Sequence, residues 1–487
     1  MTLKFFKKIA VVLLMAITYY NCSSEKEQTP QEIKVHTFAW KGLNAYYLWQ
    51  SSVLELQDNY FNNQNELNSF LAAYDSPESL FESLLNRPTD RFSWMVEDYN
   101  ALENSFQGIN VSTGMEFGLK RYKDNDTKVY GYVRYVVPNS SAAINNVERG
   151  MIFNAVNGTQ LTDTNYNSLL FDSNANLNIE LASYNDGNPI SNGTFINLTK
   201  EQVVENPVAI YNIIPENGKK IGYLLYNQFS SAYDAQLNAA FNFFKAENID
   251  ELIVDLRYNG GGSVKTATYL GSMITGQFDE QVYSKEVWNE KVQNAISEDR
   301  FLNYFTDEIL NFDQNENIVL QEPINSLNLT KAYFIVTGST ASASELVINS
   351  LRAYIDVAII GTTTVGKQVG SVTLYDSDNL TKTGINLNPN HTYAIQPIVL
   401  EISNKDNQNE LLGFTPGVTL PGVEIAEDYG NLGVLGNKTE PLLQRTLSYI
   451  TNGARANVMQ SVGEYSEIYN SKLATPTGNN MYVNLKK

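Results

Sequence analysis

Between residues 221 and 360 short apolar, β-prone runs alternate with helical patterns, and this alternation restricts the chain more than any other feature. Residues 221–226 and 252–256 read as buried strands on either side of a helix over 232–247, where Leu237, Phe241 and Phe244 share one face. Residues 332–336, a helix from about Ser344, and 357–360 repeat the order strand, helix, strand. Alternation of this kind predicts an α/β layer around a central sheet. At 487 residues the chain is too long for one ordinary domain.

The flanking regions have other characters. Residues 33–105 read as a helical region, with helical spacing over 35–49 and 67–85 and a helix start at Ser76-Pro77-Glu78. Residues 106–203 read as a compact strand-rich module. Strands are expected at 129–137, 152–156, 178–181 and 194–198, a turn at Asn157-Gly158, and a helix over 162–170. The α/β core then spans 204–465, and 466–487 reads as a loose or helical tail. At the start, Lys4, Lys7 and Lys8 precede an apolar run over 9–18 that is too short to span a bilayer as a helix, the layout of a secretory signal over 1–21. Cys22, the only cysteine, follows at once and resembles the lipidation site of bacterial lipoproteins, with 22–32 as a polar tether. The expectation is an exported protein, lipid-anchored in the cell envelope, with the outer membrane favoured because Ser23 stands where inner-membrane retention uses Asp.

Composition excludes several chemistries. One cysteine allows neither an intrachain disulfide nor a cysteine-based zinc site. The only histidines are His36 and His391, so the His-Glu-x-x-His zinc pattern is absent. No Gly-x-Ser-x-Gly elbow, Walker-type loop or dinucleotide fingerprint occurs, and a net charge of −19 repels nucleic acid. No metal or cofactor is implied.

Two segments remain. In Asp255-Leu-Arg-Tyr-Asn-Gly-Gly-Gly262 a strand runs into three glycines, whose bare amides can approach a ligand closely, as an oxyanion hole requires. A plain tight turn would look the same. In Gly338-Ser-Thr-Ala-Ser-Ala-Ser-Glu345 small residues between a strand and a helix let a hydroxyl stand at a sharp turn facing the helix's positive end. Lys367, in the loop Thr362-Thr-Thr-Val-Gly-Lys367, follows Ser342 by 25 residues and can serve as its base if burial keeps the amine neutral. Glu345, one helical turn after Ser342, can orient the pair. Ser344 and Thr340 stay open as alternative nucleophiles, and Asp255 and Arg257 read as braces of the glycine turn.

These segments together resemble the carboxyl-terminal processing (tail-specific) protease family. The resemblance implies a crotonase-like (ClpP/crotonase-type) peptidase core with a strand-rich PDZ domain. It implies Ser342 as nucleophile, Lys367 as general base, Glu345 as third member, and Gly261 and Ala343 as oxyanion-hole amides. Glu116-Phe117-Gly118-Leu119 resembles the peptide-binding loop of PDZ modules. Asp90-Arg-Phe-Ser-Trp94 and Gly413-Phe-Thr-Pro-Gly417 also recur in the family. Where many members orient the lysine with Gln four residues later, this chain has Ser371, so Ser371 or Gln368 is expected to take that place. The implied activity is a serine endopeptidase acting on unstructured protein or peptide C-termini through an acyl-enzyme. The competing reading is a peptide-holding binding protein on the same fold. Acyl-CoA chemistry lacks a phosphate-cradling motif.

Overall fold

The computed structural model describes residues 33–453, 467–475, 477–478 and 480–485. The signal, the tether and Cys22 lie outside the described residues.

The central sheet has six strands in the order Val208–Glu216, Lys219–Tyr226, Glu251–Asp255, Lys331–Val336, Asp356–Gly361, Gly422–Glu424. All neighbours are parallel except the first pair, a hairpin. Parallel strands are covered on both faces, which is why they read as continuous apolar runs. Val254, Phe334 and Ile359 face helices Asp234–Glu247, Val264–Ile274 and Ala343–Leu351. Ile253, Ile335 and Ile360 face helix Pro441–Asn452 through Leu442, Leu443 and Leu447. The core is therefore a three-layer α/β sandwich.

The N-terminal region is helical, but the pattern over 67–85 divides. Helix Gln64–Leu71 ends before Ser76, which caps a separate helix Pro77–Ser83 by accepting from the Ser79 amide while Ser79 returns a bond to the Ser76 amide. The strand-rich module is closed by strands Ile109–Ser112 and Glu201–Val204, which pair antiparallel. Its main sheet runs Met115–Tyr122, Asn125–Val136, Ile152–Val156, Asn176–Ser183, Ile190–Thr199. The helix expected over 162–170 is only Tyr166–Leu170, because Thr162 bonds the Asn165 side chain in a turn instead.

In its described residues the tail is not loose, and its helical part is only the short 3-10 helix Ser471–Ala474. Tyr469–Asn470 joins the module's sheet at strand Met115–Tyr122, and Met481–Tyr482 sits inside a second six-stranded sheet, between Gly262–Ser263 and Val369–Ser371. Two-residue strands carry too little periodicity to show in a sequence.

Candidate active site

Strand Lys331–Val336 ends at the central sheet's carboxyl edge, and the chain turns at 337–342 into helix Ala343–Leu351. Hydroxyls hold that turn. Thr340 Oγ1 donates to the Leu256 carbonyl and Ser344 Oγ to the Asn259 carbonyl, at 2.8 and 3.0 Å. Both alternative nucleophiles are thus bonded to the neighbouring loop. Ser342 Oγ is buried and has no hydrogen-bond partner among the described residues. Ser342 adopts φ 68°, ψ −119°, a conformation that favours glycine and is costly for a residue with a Cβ.

Glu345 joins this turn to the lysine loop. Its Oε2 accepts the Ser342 amide at 2.8 Å and the Lys367 amide at 2.9 Å. Its Oε1 accepts the Gly366 amide at 2.7 Å and the Thr364 hydroxyl. One buried carboxylate therefore fixes the main chain of both 342 and 367. Burial pushes its pKa up, while the four donors pull the other way. Gly366 has no substitute here: at φ +78° a Cβ would lie 2.3 Å from the Leu411 carbonyl oxygen. Segment 413–417 supports the same loop, Phe414 exchanging bonds with Thr364 through both their main chains and the Thr364 hydroxyl.

Lys367 is 1% exposed. Desolvation lowers its ammonium pKa to about 7, against the pull of Asp90 and Glu345. Its amine stands 4.8 Å from the centre of the Phe92 ring. Asp90 is itself fixed, accepting the Tyr47 hydroxyl at 2.8 Å and the amides of Phe92 and Ser93 at 2.9 Å. Asp90 and Phe92 were visible in sequence as part of a recurring motif, but nothing in that motif connected them to Lys367. Of the two residues expected to orient the amine, Gln368 has a buried carboxamide with no hydrogen-bond partner among the described residues, and Ser371 bonds elsewhere, its Oγ 2.6 Å from Gln396 Oε1.

Gly261 lies against Ser342: at φ +113° a Cβ there would be 2.6 Å from Ser342 Cβ and 3.0 Å from the Ala343 nitrogen. Its N–H, however, donates to Asn259 Oδ1 at 2.9 Å, so it is not the bare amide that was expected. Asn259 mimics a backbone turn with its side chain, as Asn does in Asx turns. It also accepts the Ala341 amide through its carbonyl and thereby joins the glycine turn to the turn at 337–342. Ala343 occupies the first position of its helix, where an amide has no intrahelical acceptor. Arg257 braces the glycine turn from below, paired at 2.7–2.9 Å with Asp255 and Glu440 and at 3.2 Å with Glu427, all buried.

Glu116, Phe117, Gly118 and Leu119 belong to strand Met115–Tyr122 and do not form a loop. Segment 112–114, with Gly114 at φ +75°, supplies the turn before it. His391 pairs with Asp376 at 3.0 Å, and His36 is buried in the N-terminal helix.

Comparison with known proteins agrees with this architecture. Residues 220–396 match the model of peptidase family S41, and residues 34–94 match the S41 N-terminal domain. The carboxyl-terminal-processing protease of Picosynechococcus is 23% identical over 173 residues, 35% of each chain. Carboxyl-terminal-processing peptidase 2 of Arabidopsis thaliana chloroplasts is 28% identical over 177 residues, 35% of this chain and 29% of that one. The matched region thus spans about a third of the length of these relatives. A Bacteroides fragilis protein assigned as an S41 protease superposes with a TM-score of 0.62 at 24% identity, covering 85% of this chain and 97% of that one, a similarity of fold.

Proposed function

We propose, from the match of residues 220–396 to peptidase family S41, that this chain is a serine endopeptidase of the carboxyl-terminal processing type that works by a Ser342–Lys367 dyad. One observation carries the reading: a single Glu345 oxygen accepts the amides of both residues. Beside it, Ser342 Oγ has no hydrogen-bond partner among the described residues, and burial lowers the pKa of the Lys367 amine to about 7.

In this mechanism the neutral Lys367 amine takes the Ser342 proton as Oγ bonds to the scissile carbonyl carbon. The carbonyl π pair moves to oxygen, where the Ala343 amide and the positive end of its helix stabilise the charge. Collapse breaks the C–N bond, and the departing amine takes the proton from the Lys367 ammonium. Water, deprotonated by the same amine, then hydrolyses the Ser342 ester, releasing a carboxylic acid and restoring the hydroxyl. Glu345 fixes geometry and exchanges no proton.

The strand-rich module serves as a PDZ domain that receives the substrate's C-terminal region along strand Met115–Tyr122. Cys22 carries a lipid that anchors the exported chain, and partitioning of the Cys22→Ala variant out of the detergent phase would test that anchor. The peptidase reading is tested by purifying folded Ser342→Ala and Lys367→Ala and assaying each on an unstructured protein. Loss of cleavage in both is expected; undiminished cleavage by either removes the dyad.

A further inference from the structure

A peptidase site must admit a peptide, yet Ser342 is fully buried and Lys367 nearly so. What closes the site is the chain itself. Met481–Tyr482 runs between Gly262–Ser263, which ends the glycine turn, and Val369–Ser371, which begins two residues after Lys367, and pairs parallel with both. The Val483 amide donates to the Ser371 carbonyl at 3.1 Å. Ser371 Oγ also lies 3.0 Å from Asn480 Oδ1 and from the Met481 carbonyl. A Cβ placed on Gly261 would meet the Asn480 carbonyl oxygen and Ser342 Cβ, each at 2.6 Å. A carbonyl of the tail thus stands in the glycine turn beside the nucleophile, where a substrate carbonyl must come.

The same segment occupies the edge of the strand-rich module. The Ile468 amide donates to the Leu119 carbonyl at 2.9 Å, and Tyr469 and Asn470 pair antiparallel with Leu119 and Gly118. The Tyr469 ring packs on Phe171 at 5.4 Å, and Ser471 Oγ accepts the Phe117 amide at 2.9 Å. Arg134 holds Glu467 and also donates to Ser339, three residues before the nucleophile. Added-strand pairing with a side chain seated in an apolar surface is how an extended peptide binds a sheet edge.

We propose that residues 467–475 and 480–483 are an intramolecular ligand of the peptide cleft, a pseudosubstrate that occupies the module edge and the Ser342 groove and keeps the enzyme closed until it is displaced. This inference rests on the peptidase reading above. Its physical basis is that no peptide can reach Ser342 while Asn480–Tyr482 stays. The segment is held by two strands of two residues each, the Glu467–Arg134 ion pair, the buried Met481 side chain and hydrogen bonds of about 1 kcal/mol apiece, and an extended peptide of similar pattern competes for the same partners.

The test uses a chain ended after residue 466, made with Ser342 intact and as Ser342→Ala, and a fluorescein-labelled synthetic peptide of residues 467–487. The peptide is expected to bind the shortened Ser342→Ala chain at least roughly tenfold more tightly than the full-length Ser342→Ala chain, a difference of about 1.4 kcal/mol. The shortened active chain is expected to cleave an unstructured protein at least roughly tenfold faster, with the added peptide reversing the gain. Full-length Tyr469→Asp/Met481→Asp, which weakens both contacts while keeping the segment, should shift activity in the same direction. Binding without cleavage by any form sinks the peptidase reading and leaves the intramolecular ligand standing. Failure of the peptide to bind, or loss of a cooperative thermal transition in the shortened chain, makes the segment an ordinary structural strand and overturns the inference.

Discussion

The main-chain nitrogens of Ser342 and Lys367, 25 residues apart in sequence, lie 2.8 and 2.9 Å from the same oxygen of Glu345. The separation between the two segments is therefore set by one buried carboxylate, and the side chains leave from backbones no further apart than two hydrogen bonds reach. Positioning of this kind is worth most when the reacting groups are already close, because small displacements cost large factors in rate.

Glu345→Gln replaces one acceptor oxygen by a donor while keeping the shape. It is expected to lower kcat by about 10- to 100-fold with little change in KM, because geometry is lost and the peptide cleft is untouched. Glu345→Ala leaves buried donors unpaired and should also destabilise the fold by about 2–4 kcal/mol in urea unfolding. A Glu345→Gln variant with full kcat would remove the positioning role.

The lysine predicts a pH profile. Activity on an unstructured substrate should rise with pH through an inflection near 7, where the amine loses its proton. The stability consequence has the opposite origin. The folded pKa lies below the ordinary 10.5, so between about pH 7 and 10.5 the unfolded chain binds the extra proton. The cost of burying this amine is then largest at and below pH 7 and disappears as pH rises towards 10.5. Lys367→Met should raise unfolding free energy by about 2–5 kcal/mol at pH 7, with the gain shrinking in alkali. A gain independent of pH would contradict the neutral-amine account.

Asp90 raises the Lys367 pKa, working against burial. Asp90→Asn should therefore move the activity inflection to lower pH, read from kcat across pH 5–9. An unchanged inflection would show that the Asp90 charge does not act on the amine.

Ser342 pays a conformational cost at φ 68° that glycine would avoid. Ser342→Gly should unfold at higher urea than Ser342→Ala, by about 1 kcal/mol, with both variants inactive. Equal stability of the two would mean that the turn is unstrained.

Much of the core was legible because its signals are local. Buried parallel strands appear as apolar runs at 252–254 and 332–336, and Ser76-Pro77 announces a helix start by its own chemistry. Ser342, Lys367 and Glu345 stood out because small residues and glycines cluster around them. Gly261 misled for a physical reason: bare amides were inferred from missing side chains, but the Asn259 carboxamide two residues earlier takes the N–H. Asp90 and Phe92 lie about 275 residues from Lys367 in the chain, and no spacing rule reaches that far. The tail was unreadable because its strands at 469–470 and 481–482 exist only through partners at 118–119, 262–263 and 371.

The central claim is tested most directly by acid-quenching a reaction with an unstructured protein and locating the covalent acyl group by peptide mass spectrometry. The account predicts an acyl ester on Ser342, absent in Lys367→Ala. An ester on Ser344 or Thr340, or rapid turnover in Lys367→Ala with the ester still forming, would contradict it.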